Sequence, residues 1–255
     1  MLNHVKDRRA SDWEELARRE PYFAVLTDGG LPGVESNTVA TAAFFETGEA
    51  DITSLLAAIA SLLGHEIPLT SALDFGCGAG RLTLPLARRA VRVVACDIAP
   101  TMLAHARQNA EDAGLRNVTF IESHELAGLP PGHFDFVCSL LVLQHIPPVD
   151  GYALIRTLLS VLAPGGVAAL HVVFERPGSA IRRLAGVLRG RSRFVHRAIG
   201  VDRGESLRLH HMSMNGYDEH VVHRDIAAAS AEVVGRFPTR DGDTTGTVLI
   251  IEKHE

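Results

Sequence analysis

The chain has 255 residues, of which 46% are hydrophobic and 22% charged, and its formal net charge is −5. This composition is typical of a soluble globular protein and argues against a general nucleic-acid binder, which would be strongly basic. The start lacks the apolar core of a signal peptide, and no apolar run approaches the roughly 18 residues of a membrane span. Three widely spaced cysteines favour reduced thiols in a cytoplasmic protein.

The first quarter of the chain predicts a helical cover over residues 1–63. The segment DWEELARRE places Trp13 and neighbouring apolar residues on one helical face. TDGGLPGVESN is typical of a loop. Residues 38–63 predict a second helix, and Gly64 is suited to cap its end.

From residue 69 onward, short apolar runs alternate with helical runs. The predicted strands are TSALDFG, VRVVACD, NVTFIES, FDFVCSLLV and VAALHVVFE, and the predicted helices are GRLTLPLARRA, APTMLAHARQNAEDAG and DGYALIRTLLSVLAPGG. Such alternation predicts a doubly wound, Rossmann-like α/β fold. We expect seven strands, mostly parallel, of which the last two, at about 232–238 and 246–252, form a reversed hairpin.

The most informative segment is LDFGCGAG, residues 73–80. A predicted strand ends at Asp74, and Gly76, Gly78 and Gly80 then permit a tight turn into a helix whose N–H groups face a ligand. Asp97 ends the next strand, where an acid binds ribose hydroxyls in such folds. Because Asp74 would repel a pyrophosphate, the loop suits a ligand with a positive group, which points to S-adenosylmethionine.

The sequence resembles the class I S-adenosylmethionine-dependent methyltransferases over about residues 69–175, and 232–252 is compatible. The motifs are D-x-G-x-G-x-G at 74–80, CDIAPTML, FDFVCSLLVLQHI and LAPGGVAAL. EPYFAVLTD and FFETGEADI are also similar to a subgroup of small bacterial methyltransferases. The resemblance implies S-adenosyl-L-methionine as cofactor and S-adenosyl-L-homocysteine as product.

The resemblance also implies individual roles for cofactor-binding residues. Asp74 and the loop at 76–80, including Cys77, would hold the methionine part and the ribose edge, and Asp97 the ribose hydroxyls. Ile98 and Met102 would pack near the adenine. The full set is Asp74, Gly76, Cys77, Gly78, Gly80, Asp97, Ile98, Met102, Ser123, His124, Cys138 and Ser139. Ser123 and His124 stand where Gly-Asp is common, so His124 is either an adenine contact or a surface histidine. Cys138 and Ser139 would offer backbone contacts to the methionine part.

His145 follows the fourth predicted strand, where the acceptor lies in this fold. A histidine with a pKa near neutral is the usual base for an alcohol, so we predict His145 as general base or acceptor-orienting group. The alternative is a histidine that hydrogen-bonds the nearby backbone. No N/D-P-P-Y/F/W motif and no Pro-Cys pair follows that strand, which favours an oxygen acceptor over a nucleic-acid base.

Candidate acceptor contacts lie in the helical cover and near the end of the chain. They are Tyr22, Phe45, His210, His211 and Tyr217. A metal site at His220 and His223 is conceivable, but no metal is predicted.

Residues 176–203 hold eight arginines and one acid, Asp202. Three interpretations are open. The stretch recruits an anionic acceptor, it adsorbs to an anionic membrane surface, or it is a solvated helix face.

We therefore expect one methyltransferase domain over 1–255. It comprises a helical cover (1–63), a cofactor-binding core (69–175), an inserted cap (176–225) and the end of the core with the hairpin (226–255). The expected reaction is O-methylation of a hydroxyl on a small molecule, a saccharide or secondary metabolite. No nucleic-acid or integral membrane association is expected, and a homodimer is left open. The alternatives are an RNA or protein methyltransferase, a non-catalytic S-adenosylmethionine-binding module and a metal-assisted enzyme.

Overall fold

A computed structural model describes residues 2–22, 38–175, 214–241 and 244–254. Six helices and seven strands lie in these ranges. The helices are α1 (Leu2–Arg19), α2 (Thr38–Leu63), α3 (Thr83–Ala87), α4 (Pro100–Asp112), α5 (Pro148–Val161) and α6 (Glu219–Ala228). The strands are β1 (Ser71–Phe75), β2 (Arg92–Asp97), β3 (Val118–Glu122), β4 (Phe134–Ser139), β5 (Leu162–Val172), β6 (Ala231–Asp241) and β7 (Thr244–Lys253).

All seven strands form one sheet in the order β3-β2-β1-β4-β5-β7-β6. The first five are parallel to their neighbours, whereas β7 is antiparallel to both β5 and β6. The predicted Rossmann-like fold and reversed C-terminal hairpin are therefore confirmed. Strand order reverses between β1 and β4, and in open α/β sheets ligands bind beyond the carboxyl ends of strands at such a point.

Helices cover both faces of the sheet and create two cores. On one face, Ile52 and Ile59 of α2 pack with Leu86 of α3 over the centre of the sheet. On the other, Ile155 and Leu158 of α5 pack with residues of β4, β5 and α6. Each such fully buried side chain contributes about 1.5–3 kcal/mol relative to exposure. These layers fix where the strand ends, and hence the loops that follow them, can lie.

Helix α3 is shorter than the sequence predicts, whereas α2 ends where the sequence predicts. The helix predicted in GRLTLPLARRA is confined to the five residues of α3. The side-chain amide of Asn117, just before β3, donates to the carbonyls of Ala87 and Ala90 and so satisfies the end of that turn. Gly64 ends α2 with φ +77°, and its N–H donates to the carbonyl of Ala60, which confirms the predicted cap.

Several sequence-predicted features lie outside the described residues. They are the predicted loop TDGGLPGVESN before α2, the arginine-rich stretch 176–203, and His210 and His211. The part of the predicted cap that the structure describes begins at Met214.

Candidate active site

The loop after β1 makes the tight turn that its glycines predict. Gly76, Gly78 and Gly80 have φ of +78°, +52° and +94°, a region in which other residues are strained. The N–H of Gly76 donates to the carbonyl of Cys96 at 2.7 Å, which ties the loop to β2. A Cβ on Gly76 would lie 2.2 Å from Cγ2 of Val142, so the loop after β4 packs directly on this glycine.

Asp97 closes β2 and supports the same loop. Its two carboxylate oxygens accept from the N–H groups of Gly78 and Ala99, each at 2.9 Å. Burial raises the pKa of Asp97, and these backbone hydrogen bonds oppose the rise. Each carboxylate oxygen has a second lone pair. Asp97 can therefore brace the loop and still accept from ribose hydroxyls, which remains its predicted role.

Asp74 is a buried carboxyl group at the end of β1. Its Oδ2 accepts from the hydroxyl of Thr83 at 2.6 Å. Burial raises the pKa of Asp74 to about 6, although the Thr83 hydrogen bond and the charge of Arg81 oppose the rise; the charge of Asp97 adds to it. A cationic ligand group beside Asp74 would favour the ionised form. The pair of acids suits a cation and disfavours a pyrophosphate, as predicted.

Sequence reasoning missed Arg81, which is only 4% exposed at the start of the helical turn after the loop. Its guanidinium forms an ion pair with Asp51 of α2 and donates to the hydroxyl of Thr47 at 3.4 Å. Nε of Arg81 is buried without a hydrogen-bond partner among the described residues. A Cβ on Gly48 would lie 2.1 Å from the Arg81 carbonyl oxygen, so a glycine is needed for α2 to pack here.

The end of β4 supplies an unsatisfied buried hydroxyl. Ser139 is fully buried, and its Oγ has no hydrogen-bond partner in the described part of the chain. A buried polar group left in this way costs about 1–3 kcal/mol, which a ligand group could recover. The loop, the two acids and this hydroxyl together fit the methionine and ribose parts of S-adenosylmethionine. Cys138 is a buried free thiol whose pKa burial raises, so it is unsuited to act as a nucleophile.

His145 lies in the β4 turn, the name used here for residues 140–147. Leu143–His145 form a short 3-10 helix within it. The imidazole packs edge-on against Trp13 of α1, with ring centroids 5.3 Å apart. The side-chain nitrogen of Gln144 lies 3.4 Å from Nε2 of His145. His145 is half-buried, in the turn whose Val142 packs on Gly76.

Helix α1 crosses this edge from α4 to the β4 turn. Glu14 accepts from the N–H and hydroxyl of Thr101, and the hydroxyl bond is the main cause of a lowered Glu14 pKa. Ala17, Trp13 and Met102 form a small apolar cluster beneath the helix. Met102 is 2% exposed within this cluster, so its structural role is packing against α1. Its contact with adenine remains a prediction.

The residues that follow β2 and β3 are more open. Ile98 is half-buried at the end of β2. Ser123 begins a short 3-10 helix, and the side chain of His124 is 74% exposed, with its Nδ1 3.4 Å from Oε2 of Glu122. Of the two interpretations of His124, this placement favours the surface histidine. The adenine contacts of these residues remain predictions.

Tyr22 and Phe45 belong to an aromatic cluster between the end of α1 and the beginning of α2. Their ring centroids are 6.2 Å apart, and Phe44 lies between 5 and 6 Å from both. The Tyr22 hydroxyl donates to Oδ1 of Asn109, whose amide donates to the carbonyl of Ala79 in the glycine loop. The cluster is therefore tied to the loop, and its acceptor contacts remain predictions.

Tyr217 corrects a prediction. It is fully buried, and its hydroxyl donates to the carbonyls of Leu143 at 2.8 Å and Ile146 at 2.9 Å. A ring enclosed in this way does not face an acceptor, because α5 and the β4 turn cover it. His210 and His211, predicted with it, lie outside the described residues.

Within residues 2–22, 38–175, 214–241 and 244–254, no cluster of three or more His, Cys, Asp or Glu side chains is arranged to hold a metal ion. Nε2 of His223 faces the guanidinium of Arg236. None of the helices in those ranges has the length and apolar character needed to cross a membrane.

The known proteins to which this chain is similar are methyltransferases. A family described as a methyltransferase domain matches residues 72–166. A ubiquinone biosynthesis O-methyltransferase of Xanthomonas campestris pv. campestris (strain B100) is 35% identical over 114 residues, 44% of this chain and 47% of that protein. One of the same name from Methylocella silvestris is 42% identical over 98 residues, 37% of this chain and 36% of that protein. The match thus spans about half, or less, of these curated relatives.

Among solved structures, a magnesium protoporphyrin IX methyltransferase from Synechocystis PCC 6803 with bound SAH has a TM-score of 0.64 at 20% identity. The alignment covers 99% of this chain and 100% of that one. At this identity the likeness concerns the fold. The domain match identifies residues 72–166 as a methyltransferase domain, and the likeness to the solved structure shows that the chain has the fold of an S-adenosylmethionine-dependent methyltransferase.

Proposed function

We propose that this protein transfers the methyl group of S-adenosylmethionine to a hydroxyl oxygen of a small molecule in a biosynthetic pathway, a saccharide or a secondary metabolite. The observation that carries the proposal is a juxtaposition at one sheet edge. Val142 of the β4 turn packs on Gly76 of the cofactor loop, and His145 lies three residues further on in that turn. This juxtaposition supports a base beside the methyl donor.

In the proposal, Asp74 and Asp97 receive the two polar ends of the cofactor. Asp97 accepts from the ribose hydroxyls with the lone pairs that Gly78 and Ala99 leave available. Asp74 faces the cationic methionine part, and the unpartnered hydroxyl of Ser139 binds nearby. The cofactor, when bound, supplies an electrophilic methyl carbon on a sulfonium.

The chain's own contribution to the reaction is orientation, exclusion of water and removal of a proton. An alcohol must lose its proton as its oxygen attacks, and a neutral imidazole can accept it. His145 is shielded on one side by Trp13 of α1, and α1 is held to α4 through Glu14 and Thr101. This cover would exclude water from the space above the glycine loop, which the transfer requires.

Two features support an oxygen acceptor. The β4 turn reads LLVLQHIP, without the Asn/Asp-Pro-Pro-aromatic motif that holds planar amines. The matching relatives carry the name ubiquinone biosynthesis O-methyltransferase. We also propose a cytoplasmic location, which the three buried free thiols favour. The proposal leaves open both a neutral or an anionic acceptor and a monomer or a homodimer.

The test is formation of S-adenosylhomocysteine from S-adenosylmethionine with a panel of phenols, catechols and sugar hydroxyls, both neutral and anionic. We expect turnover with at least one hydroxyl compound and a loss of about 10²–10⁴-fold in His145→Ala, the usual range for a general base. His133→Ala is the matched control, because that ring also packs edge-on on an aromatic neighbour, Phe134 at 5.0 Å, but at the opposite end of β4.

Methylation of RNA or protein instead of any hydroxyl compound would contradict the acceptor class. Cofactor binding without turnover on any acceptor would favour a binding module. Equal activity of His145→Ala and His133→Ala would contradict the role of His145 as base.

A further inference from the structure

The β4 turn is held from the far end of the chain. The N–H and the side-chain amide of Asn215 both donate to the carbonyl of Gln144, at 2.7 and 3.1 Å. The Tyr217 hydroxyl donates to the carbonyls of Leu143 and Ile146. Asn215 and Tyr217 thus donate hydrogen bonds to three of the four backbone carbonyls in residues 143–146. These include the carbonyls of the residues on either side of His145.

The Tyr217 contact is enclosed. A hydroxyl has one proton, so its two short contacts form a three-centre hydrogen bond that fixes both carbonyls relative to one atom. A Cβ on Gly151 would lie 2.0 Å from this oxygen, so the first turn of α5 closes over it. The backbone of Tyr217 is itself fixed, because its N–H donates to Val173 and its carbonyl accepts from Glu175, just beyond β5.

We infer that Asn215 and Tyr217 are positioning residues for His145. Their hydrogen bonds fix the backbone carbonyls of the β4 turn. The backbone of the turn in turn fixes the position of the His145 imidazole against Trp13. The inference rests on the proposed function only in assigning His145 to the reaction; the positioning itself is a structural claim.

The single tryptophan of the chain provides the readout, because all indole signals come from Trp13. Trp13 is 204 positions away from Tyr217 in sequence, and its contact with His145 connects it to the β4 turn. We would record the indole ¹H–¹⁵N cross-peak and the tryptophan emission of the wild type, His145→Ala and Tyr217→Phe. Phenylalanine keeps the ring and removes the hydroxyl, so Tyr217→Phe is expected to remain folded.

Tyr152→Phe is the matched control. Tyr152 packs edge-on against Tyr217, at 5.4 Å between ring centroids, and its hydroxyl accepts from the N–H of Asp218. Tyr152→Phe therefore removes one hydroxyl group close to Tyr217. The hydrogen bond of its hydroxyl goes to Asp218 and not to the β4 turn. Gly151→Ala displaces the Tyr217 hydroxyl by a second route, without removing it.

We expect the indole cross-peak of Tyr217→Phe and of Gly151→Ala to move in the direction of His145→Ala, while Tyr152→Phe stays at the wild-type position. Binding of S-adenosylhomocysteine should stay within about twofold of wild type in Tyr217→Phe, because the acids of the cofactor site are untouched. An unmoved cross-peak in both Tyr217→Phe and Gly151→Ala would overturn the inference. So would an equal movement in Tyr152→Phe, or a cross-peak that His145→Ala leaves in place.

Failure of the proposed function would look different. In that case the wild type would methylate no hydroxyl compound, whereas the indole cross-peaks of the variants would still report whether Tyr217 positions the turn.

Discussion

Folding favours the protonated form of Asp74, whereas binding of a cationic cofactor favours its ionised form. The variant Asp74→Asn separates these two effects. The carboxyl group is 2% exposed, and desolvation raises its pKa from 3.8 to about 6. In the folded protein the protonated form is thus favoured relative to the unfolded chain. The contribution of Asp74 to stability is full below about pH 4 and is lost as the pH rises through about 6.

The size of this effect follows from the pKa values. A rise from 3.8 to about 6 corresponds to about 3 kcal/mol of lost stability once Asp74 is fully ionised. Between pH 5 and pH 8 the part lost is about 1 kcal/mol, because roughly half of the loss occurs below pH 5. Asparagine is isosteric and uncharged, and its side-chain oxygen can still accept from Thr83, so the variant escapes this loss.

The assay is urea unfolding of wild type and Asp74→Asn at pH 5 and pH 8. The difference between the two proteins isolates Asp74, because all other titrating groups are shared. We expect Asp74→Asn to gain about 1 kcal/mol of stability relative to wild type between these pH values. We also expect it to bind S-adenosylmethionine at least ~10-fold more weakly, since a charged hydrogen bond is worth about 1.5–3 kcal/mol. A variant that loses stability relative to wild type as the pH rises would refute this reasoning.

Two further substitutions test the glycine loop and its acidic partner. Gly76→Ala combines a left-handed backbone at φ +78° with a Cβ contact of 2.2 Å, so we expect about 2–5 kcal/mol of destabilisation in chemical unfolding; a loss below about 0.5 kcal/mol would contradict the described loop. Asp97→Ala removes two acceptors for ribose hydroxyls and should weaken S-adenosylhomocysteine binding at least ~100-fold by calorimetry. Asp135→Ala is its control, because Asp135 also accepts from two backbone N–H groups, at 2.8 and 2.9 Å, but at the amino edge of the sheet; equal losses in both variants would rule out a ribose role for Asp97.

Local sequence signals predicted the parts of this protein that depend on neighbouring residues. The glycines at 76, 78 and 80 adopt positive φ because the turn between β1 and the following helix requires it. Alternation of short apolar runs with helical runs was enough to predict the doubly wound sheet, and Gly64 marked the end of α2. In each case the determining interaction spans only a few residues of chain.

The features that sequence reasoning missed depend on residues far apart in the chain. Arg81 meets Asp51 only because α2 packs over the loop, and nothing local distinguishes it from a surface arginine. Tyr217 lies in a polar stretch, and its burial depends on carbonyls about 70 positions earlier. Its aromatic ring beside histidines suggested an acceptor contact, whereas its tertiary partners make it a support for the β4 turn.

Calorimetric titration of the wild-type protein with S-adenosylmethionine, and separately with S-adenosylhomocysteine, tests the central claim most directly. The account predicts that both bind with micromolar affinity at one molecule per chain, since Asp74, Asp97 and the glycine loop are arranged for the parts they share. Absence of heat and of competition for either ligand, in protein shown to be folded, would contradict the assignment of this loop as a cofactor site.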